Sequence, residues 1–391
     1  MQTSTEGSTL RVGVDARVLS DKYHGIGRVL DQLLQRLVHE PDLELVLFHS
    51  GETSQRFDVQ RFAAFPSVEL RRFDMSIDSP WQTPAWWRAT RAADVDLVFH
   101  PYHVGAPLVG PGRRAVLVHD CIFEADRRFA PAGVRLPYMA LTAVVTRTSE
   151  VLTVSLASAE ALRSTYRAPV SPDRIVHNGV AEEFARARPL SVAARSDLGL
   201  PERFVLTVGA RRPHKDVATV VRALALLPPD VHLVMVGTVD ERLPDEVPGL
   251  LDRLGVADRA HHLPFVPEEH LPGLYATADV LAYPSLVEGF GLPMLEAMAA
   301  GTPVVASDIP VFREVGADAA LFAAPGDAAA WAQQLRRVSG PDADEDLRRS
   351  LLSAGRANAA GYTWEAAAAN LLRHLRSTGR RRPAVVSHRA W

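Results

Sequence analysis

Short runs of apolar and β-branched residues alternate with longer stretches in which apolar positions recur every three or four residues. Arg11–Ala16 reads as a strand, and Ile26–Val38 as a helix with Leu30, Leu33, Leu34 and Leu37 on one face. Strands are then expected at Leu43–His49, Val95–Phe99 and Ala115–His119, and Val151–Val154 precedes a helical pattern over Ala157–Tyr166. The rhythm breaks across Ala181–Pro201, which is rich in Ala, Arg and Ser and punctuated by Pro189 and Pro201. It restarts with a strand at Phe204–Val208, a helix at Val217–Leu227 and strands at Val231–Val236, Leu263–Val266, Val280–Tyr283 and Pro303–Ala306. Such alternation implies right-handed βαβ crossovers and a mostly parallel sheet. It occurs twice, so the expected class is α/β with two doubly wound units, residues 1–185 and 186–361. The halves share architecture without a short sequence period.

Bulk properties narrow the partners. A chain of 391 residues suits two domains of about 150–200 residues rather than one. With 47 % hydrophobic and 23 % charged residues it has the balance of a folded, water-soluble protein. Lys+Arg 43 against Asp+Glu 46 leaves a formal charge of −3, which argues against nucleic acid as the main partner. Cys121 is the single cysteine, so neither an intramolecular disulfide nor a cysteine zinc site is expected, and the reducing cytoplasm is the default location. Residues 1–9 lack the apolar core of a signal peptide, and no stretch reaches the roughly 20 apolar residues that span a bilayer. The run Arg380–Arg382, followed by Pro383, reads as a solvated tail, with weak attraction to an anionic membrane as the minor alternative.

Parallel sheets bind ligands at the carboxyl ends of their strands. Two such edges facing one another grip a substrate from both sides, and closure excludes water that would capture a transferred group. Four stretches fall at such ends. In Tyr283–Gly301, YPSLVEGFGLPMLEAMAAG, Glu288 and Glu296 flank Gly289-Phe290-Gly291-Leu292-Pro293. The glycines permit a tight turn and close backbone approach to a ligand. Pro293 is tolerated in the first turn of a helix expected over Pro293–Ala300 and stopped by Gly301. That helix N-terminus suits a diphosphate. Glu296, one turn in, is placed to accept hydrogen bonds from ribose or sugar hydroxyls; the plainer alternative is a dipole partner beside a structural turn.

The second stretch, Gly209-Ala210-Arg211-Arg212-Pro213-His214-Lys215, follows a strand with a cationic cluster suited to a diphosphate leaving group, unless it is a solvated basic loop. The third, Gly25-Ile26-Gly27-Arg28 at a helix start, offers backbone N–H groups to phosphate or a hydroxyl, or is a simple turn; Asp15 and Arg17 precede it. The fourth is His119-Asp120, where His119 either bonds a sugar hydroxyl or is a satisfied structural histidine. Cys121 reads as a small buried hydrophobe rather than a nucleophile.

The Glu-x7-Glu spacing around GFGLP, within LPGLYATADVLAYPSLVEGFGLPMLEAMAAGTPVVAS, resembles the retaining GT-B-fold enzymes of glycosyltransferase family 4, group 1. The resemblance runs over roughly residues 10–376, is strongest from Phe204 to Ser307, and points to bacterial mannosyltransferase-like members. It implies two facing Rossmann-like domains with the active site in the cleft: an acceptor domain over 1–185, a donor domain over 186–361, and a segment 362–391 whose helix crosses back to the first domain. Tyr362-Thr363-Trp364 resembles the start of that helix, and Thr153-Val154-Ser155 and Asn178-Gly179-Val180 resemble marks that end the first domain. The catalytic set implied is His119, Glu288 and Lys215. Glu296 holds the ribose, Glu288 the donor sugar, Lys215 the phosphates, and Phe265 and Val266 the base. Gly25 and Gly27, and Phe290, Gly291 and Leu292, complete the donor site. The family Arg expected five positions before Lys215 is Ala210, a departure for which Arg211 or Arg212 is the available substitute. Trp81 to Trp87 and His100-Pro101-Tyr102 resemble an acceptor-side segment, with core packing an equal reading of the tryptophans.

The resemblance further implies transfer of a hexose, with retention, from a GDP- or UDP-linked sugar to a hydroxyl of a saccharide or natural product. The nucleotide sugar is a co-substrate, and the departing diphosphate helps take the acceptor proton. No Asp-x-Asp metal motif stands out, and a Lys/Arg cluster replaces a metal's charge, so no metal is expected. The rivals are a phosphorylase or epimerase on the same scaffold, and a non-catalytic nucleotide-sugar-binding subunit suggested by Ala210. A dinucleotide dehydrogenase is disfavoured because no G-x-G-x-x-G follows the first strand.

Overall fold

The computed structural model describes residues 9–110, 112–240, 243–341 and 343–380. The polar stretch through residue 8 and the basic tail from residue 381 onward lie outside the described residues. The first sheet comprises β1 (Leu10–Asp15), β2 (Leu43–His49), β3 (Val68–Arg72), β4 (Leu97–His100), β5 (Arg113–Val118) and β6 (Glu150–Thr153), in the order β3-β2-β1-β4-β5-β6. The second comprises β7 (Phe204–Val208), β8 (His232–Val236), β9 (Ala260–Leu263), β10 (Val280–Tyr283), β11 (Val304–Ser307) and β12 (Leu321–Ala323), in the order β12-β11-β10-β7-β8-β9. All the pairings are parallel, and the winding is the same in both, with β7 in the role of β1. The central strands β7 and β10 are almost wholly buried because helices cover both sheet faces. Two facing Rossmann-like units of this kind form a GT-B fold.

Seven helices matter for the site. They are α1 (His24–Leu37), α2 (Gln82–Ala93), α3 (Ala132–Thr148), α4 (Leu156–Tyr166), α5 (Leu292–Ala300), α6 (Pro310–Gly316) and α7 (Trp364–Arg380). In α1, Leu30, Leu33, Leu34 and Leu37 are buried, as the periodicity predicts. Helix α7 follows the second sheet but packs on α1 and against β1, β4 and β5 of the first. Its crossing explains two sequence marks at once. Val180 N donates to Tyr362 O at 2.9 Å, and a Cβ on Gly179 would lie 2.8 Å from Trp364 Cα. Only glycine lets these two segments run so close.

Strands at Leu43–His49, Phe204–Val208 and Val280–Tyr283 match their expected bounds. The strand expected at Leu263–Val266 instead runs Ala260–Leu263, where it pairs with β8 through Leu233↔Ala260. Its sequence, AHHL, lies at a sheet edge and has little hydrophobic signal. The helix expected over Val217–Leu227 stops at Leu224, and α5 begins one residue earlier than expected, at Leu292. Strands β3 and β12 and helices α2 and α3 had no counterpart in the pattern. β3 is VELRR, an edge strand whose Glu69 is held by Arg71 and Arg11 rather than by a core.

Candidate active site

Each sheet reverses its winding between its first and fourth strands, at β1/β4 and at β7/β10, which is where open α/β sheets place ligands. A small cavity sits at the carboxyl ends of β7 and β10, lined by Thr207, Gly209, Lys215, Tyr283 and Ser285 among others. Beside it lies Glu288. Lys215 Nζ ion-pairs with Glu288 Oε1, Ser285 Oγ donates to the same oxygen at 2.7 Å, and Tyr283 OH donates at 3.0 Å. Burial alone would raise the Glu288 pKa, but the Lys215 charge and these donors outweigh it, so its pKa lies below the ordinary value. The pair is a carboxylate and an ammonium held together at the ends of two central strands.

His119 ends the first-unit strand that faces this pair. Its Nε2 donates to Pro101 O at 2.7 Å, since a carbonyl only accepts. Burial lowers its pKa to about 4, so the ring is neutral near pH 7 and Nδ1 is an acceptor aimed away from that bond. Asp120, which the sequence reading named only as its neighbour, belongs to the same site. Burial, then the charges of Glu288 and Glu124, raise its pKa to about 6.

Glu296 is 2 % exposed and accepts from Tyr275 OH at 2.8 Å. Arg28 NH2 of the facing unit ion-pairs with Glu296 Oε1 at 2.8 Å, and this carboxylate raises the Arg28 pKa. A ligand hydroxyl at this site would share the Glu296 carboxylate with Arg28. Gly25 and Gly27 lie inside the first turn of α1 rather than ahead of it. A Cβ on Gly25 would meet open space, whereas one on Gly27 would sit 2.7 Å from Phe57 Cε2, so Gly27 is a packing requirement.

The GFGLP turn divides the same way. A Cβ on Gly289 would lie 2.8 Å from the His119 carbonyl carbon and closer still to its oxygen. The close approach here is therefore between the two units, and Ser155 Oγ and Ser158 Oγ donate to Gly289 O at 2.7 and 3.1 Å. Gly291 has φ +109 and caps α5, whose N-terminus carries no side-chain cap. Leu292 opens that helix, and Phe290 is buried, with its ring 6.0 Å from His177 and 5.8 Å from Tyr362. Phe265 is exposed beneath the Arg56 guanidinium of the facing unit at 5.7 Å, and Val266 is buried.

The two candidate substitute arginines are engaged elsewhere. Arg211 NH2 pairs with Asp245 at 3.1 Å, leaving its buried Nε without a partner, and Arg212 Nε lies 3.3 Å from Asp240. Of the three cations only Lys215 is drawn to Glu288. Asp15 and Arg17 form a buried pair at 2.6 Å that also meets His100 at 3.4 Å, a cluster at the carboxyl ends of β1 and β4. Trp86 is core, while Trp81 and Trp87 are exposed. Cys121 is buried and its thiol pKa is pushed up, as a buried hydrophobe's should be. Asp-x-Asp spacings do occur, at Asp94/Asp96, Asp342/Asp344 and Asp344/Asp346, but Asp96 accepts from Arg11 N at 2.8 Å and Asp344 caps a helix through Asp346 N at 3.1 Å. Among the described residues no helix is long and apolar enough to cross a membrane.

Residues 193–357 match the glycosyl transferases group 1 family, and residues 23–184 match glycosyltransferase family 4. The chain is 32 % identical over 272 residues to the O-antigen chain mannosyltransferase RfbU of Salmonella typhimurium, covering 67 % of this chain and 72 % of that protein. It is 30 % identical over 369 residues to O-antigen chain mannosyltransferase B of Escherichia coli, covering 87 % and 93 %. Sucrose-phosphate synthase from Thermosynechococcus elongatus superposes with TM-score 0.72 at 20 % identity, over 94 % of this chain and 98 % of that one. Anabaena Alr3699/HepE, in complex with UDP and glucose, superposes with TM-score 0.71 at 18 % identity, over 94 % and 100 %. These solved structures share the fold, and the sequence matches cover both halves of the chain. The protein therefore belongs to the group 1, family 4 glycosyltransferases of GT-B fold.

Proposed function

We propose that this glycosyltransferase moves a hexose, with retention, from a GDP- or UDP-linked donor to a hydroxyl of a saccharide or natural-product acceptor, without a metal. The observation that carries the reading is the Lys215–Glu288 pair, set beside the cap-free N-terminus of α5 at the carboxyl ends of β7 and β10. A diphosphate bound there meets an ammonium and helix N–H groups, the charge complement that a departing nucleotide needs. Lys215 stabilises the negative charge that grows on the leaving oxygens. Glu288, ionised, stands by the positive centre that develops at the anomeric carbon. His119 Nδ1 accepts a donor-sugar hydroxyl, and the Glu296 carboxylate, shared with Arg28, accepts a ribose hydroxyl. The departing diphosphate takes the acceptor proton on the same face, which gives retention.

Residues 1–185 serve as the acceptor domain, 186–361 as the donor domain, and the enzyme works in the cytoplasm. The mannosyltransferase names of the relatives favour a mannosyl donor, hence GDP. The test is a thermal-shift and hydrolysis screen against UDP-, GDP-, ADP- and dTDP-sugars with a Glu296→Ala control. Stabilisation and slow hydrolysis with one nucleotide, lost in the control, are expected. Stabilisation with no turnover or transfer would favour a binding subunit, and no stabilisation at all would sink the donor-site reading.

A further inference from the structure

A carboxylate in the last turn of a helix faces the negative end of that helix's own dipole and gains from donors elsewhere. Glu314 is such a residue. It lies two positions before the end of α6, in the second unit, and its side chain is only 13 % exposed. Its donors come from the first unit. Oε1 accepts from Leu156 N at 2.8 Å and Oε2 from Ala157 N at 3.0 Å, the first two N–H groups of α4. No turn of α4 itself can satisfy those two groups. His177 Nε2 donates to Oε1 at 3.1 Å, with its ring 6.0 Å from that of Phe290 and 5.8 Å from that of Tyr362. Burial alone would raise the Glu314 pKa, but the His177 bond and the two amides outweigh it and hold it below the ordinary value.

The same turn of α4 grips the backbone on both sides of the cleft. Ser155 Oγ donates to Gly289 O at 2.7 Å and accepts from Ser158 N at 3.0 Å. Ser158 Oγ has one proton, which it shares between Gly289 O at 3.1 Å and His119 O at 3.3 Å. Residues 155–158 therefore touch His119 in their own unit, and Gly289, the neighbour of Glu288, in the other. Gly289 alone would leave the second unit free to pivot about one point. Glu314, on a separate element, supplies a second point of attachment and restrains that rotation.

We propose that Glu314 is a positioning residue: by capping α4 from the opposite unit, it sets the register between His119 and Glu288. The proposal rests on the donor-cleft reading above, in which these two residues meet one sugar. Glu314 itself touches no substrate. Lys215, Glu288, Glu296 and α5 all belong to the second unit and keep their mutual geometry when the cap is lost, whereas the spacing between His119 and Glu288 does not. Loss of the cap thus separates rate from donor binding.

The test is steady-state hydrolysis of GDP- and UDP-linked hexoses by wild type, Glu314→Ala and the isosteric Glu314→Gln, whose amide oxygen still serves one backbone N–H. Glu314→Ala should lower kcat about 100-fold, the cost of misplacement on the order of 1 Å, with donor KM within about threefold of wild type. Glu314→Gln should recover about tenfold of that loss, and it carries the test if the alanine variant does not fold. Ser155→Ala should also lower kcat, and its combination with Glu314→Ala should be scarcely worse than Glu314→Ala alone. A lowered thermal midpoint with kcat within about threefold of wild type would overturn the proposal, since a merely structural contact gives that result. So would a KM rise that accounts for the whole loss in kcat/KM, which would place Glu314 in donor binding. Small-angle scattering reads the register without any donor. The radius of gyration, about 21 Å for a compact chain of this length, should grow by about 1 Å in Glu314→Ala and hold in Glu314→Gln. Wild type that hydrolyses no donor would sink the donor-cleft reading; the scattering then decides, and an unchanged radius in Glu314→Ala would overturn the proposal.

Discussion

Replacing Gly289 by alanine places one methyl group between the two units. Its carbon would lie 2.8 Å from the His119 carbonyl carbon and 3.1 Å from Asp120 Cβ, with the His119 oxygen closer still. Carbon atoms rest at about 3.5–4.0 Å, so the GFGLP turn and the end of β5 must separate by roughly 1 Å. Neither side yields easily, because both atoms nearest the methyl are backbone. The separation also stretches the Ser155 and Ser158 bonds to Gly289 O, now 2.7 and 3.1 Å, at a cost of about 1 kcal/mol each. Glu288 is the next residue, so Lys215 and His119 lose their register with it. Misplacement on the order of 1 Å costs about 100-fold in rate. Gly289→Ala is therefore expected to lower kcat/KM for donor hydrolysis about 100-fold, while the roughly 2 kcal/mol lost in the two serine bonds lowers its thermal midpoint by a few degrees only. Steady-state release of nucleoside diphosphate measures the first, and differential scanning fluorimetry the second. A variant with kcat/KM within threefold of wild type would refute the claim that this contact sets the working geometry.

Three further outcomes follow from the same geometry. Asp15→Ala strands the Arg17 guanidinium, whose partner and itself are almost fully buried, and should cost about 3–5 kcal/mol in chemical denaturation; a loss under 1 kcal/mol would contradict the buried-pair account. Glu296→Gln keeps an oxygen for Tyr275 but removes the charge offered to a ribose hydroxyl, so KM for the donor should rise about 10- to 100-fold with kcat little changed; a fall in kcat alone would place Glu296 at the chemistry instead. Acid should destabilise the fold between pH 6.5 and 4. Burial lowers the pKa of His103 to about 3 and of His119 and His214 to about 4, so the unfolded chain binds more protons as pH falls below their ordinary 6.5. Asp120, raised to about 6, works the other way, as do the buried carboxyls of Glu124, Asp216 and Asp279, but burial lowers six histidines in all among the described residues, His49, His100 and His261 being the others. A thermal midpoint that holds or rises from pH 6.5 down to 4 would contradict this balance.

Much of the fold was legible because the central strands are buried on both faces, which makes Phe204–Val208 and Val280–Tyr283 continuous apolar runs. Edge strands carry no such signal. β3 survives on Glu69 with Arg71 and Arg11, β9 shows AHHL, and β12 has three residues. Helix α3 escaped because its exposed side is as apolar as its buried one, which erases the helical period. In the candidate site, Glu288, Lys215 and His119 follow strand ends and Glu296 lies within α5, placements that local spacing shows. What local spacing does not carry is which distant group each one meets. Arg28 on α1 turned to Glu296, Arg211 and Arg212 turned to Asp245 and Asp240, and Gly289 lies against the His119 backbone of the other unit.

The central claim is that Lys215 and Glu288 act together on a nucleotide-sugar diphosphate in the cleft. Its most direct test is donor turnover by wild type, Lys215→Ala, Glu288→Gln and the double variant, with the nucleotide that the thermal screen selects. Each single variant should lose about 100- to 1,000-fold in kcat, and the double variant should be scarcely worse than either. Full turnover by Lys215→Ala, or losses that multiply in the double variant, would contradict the account.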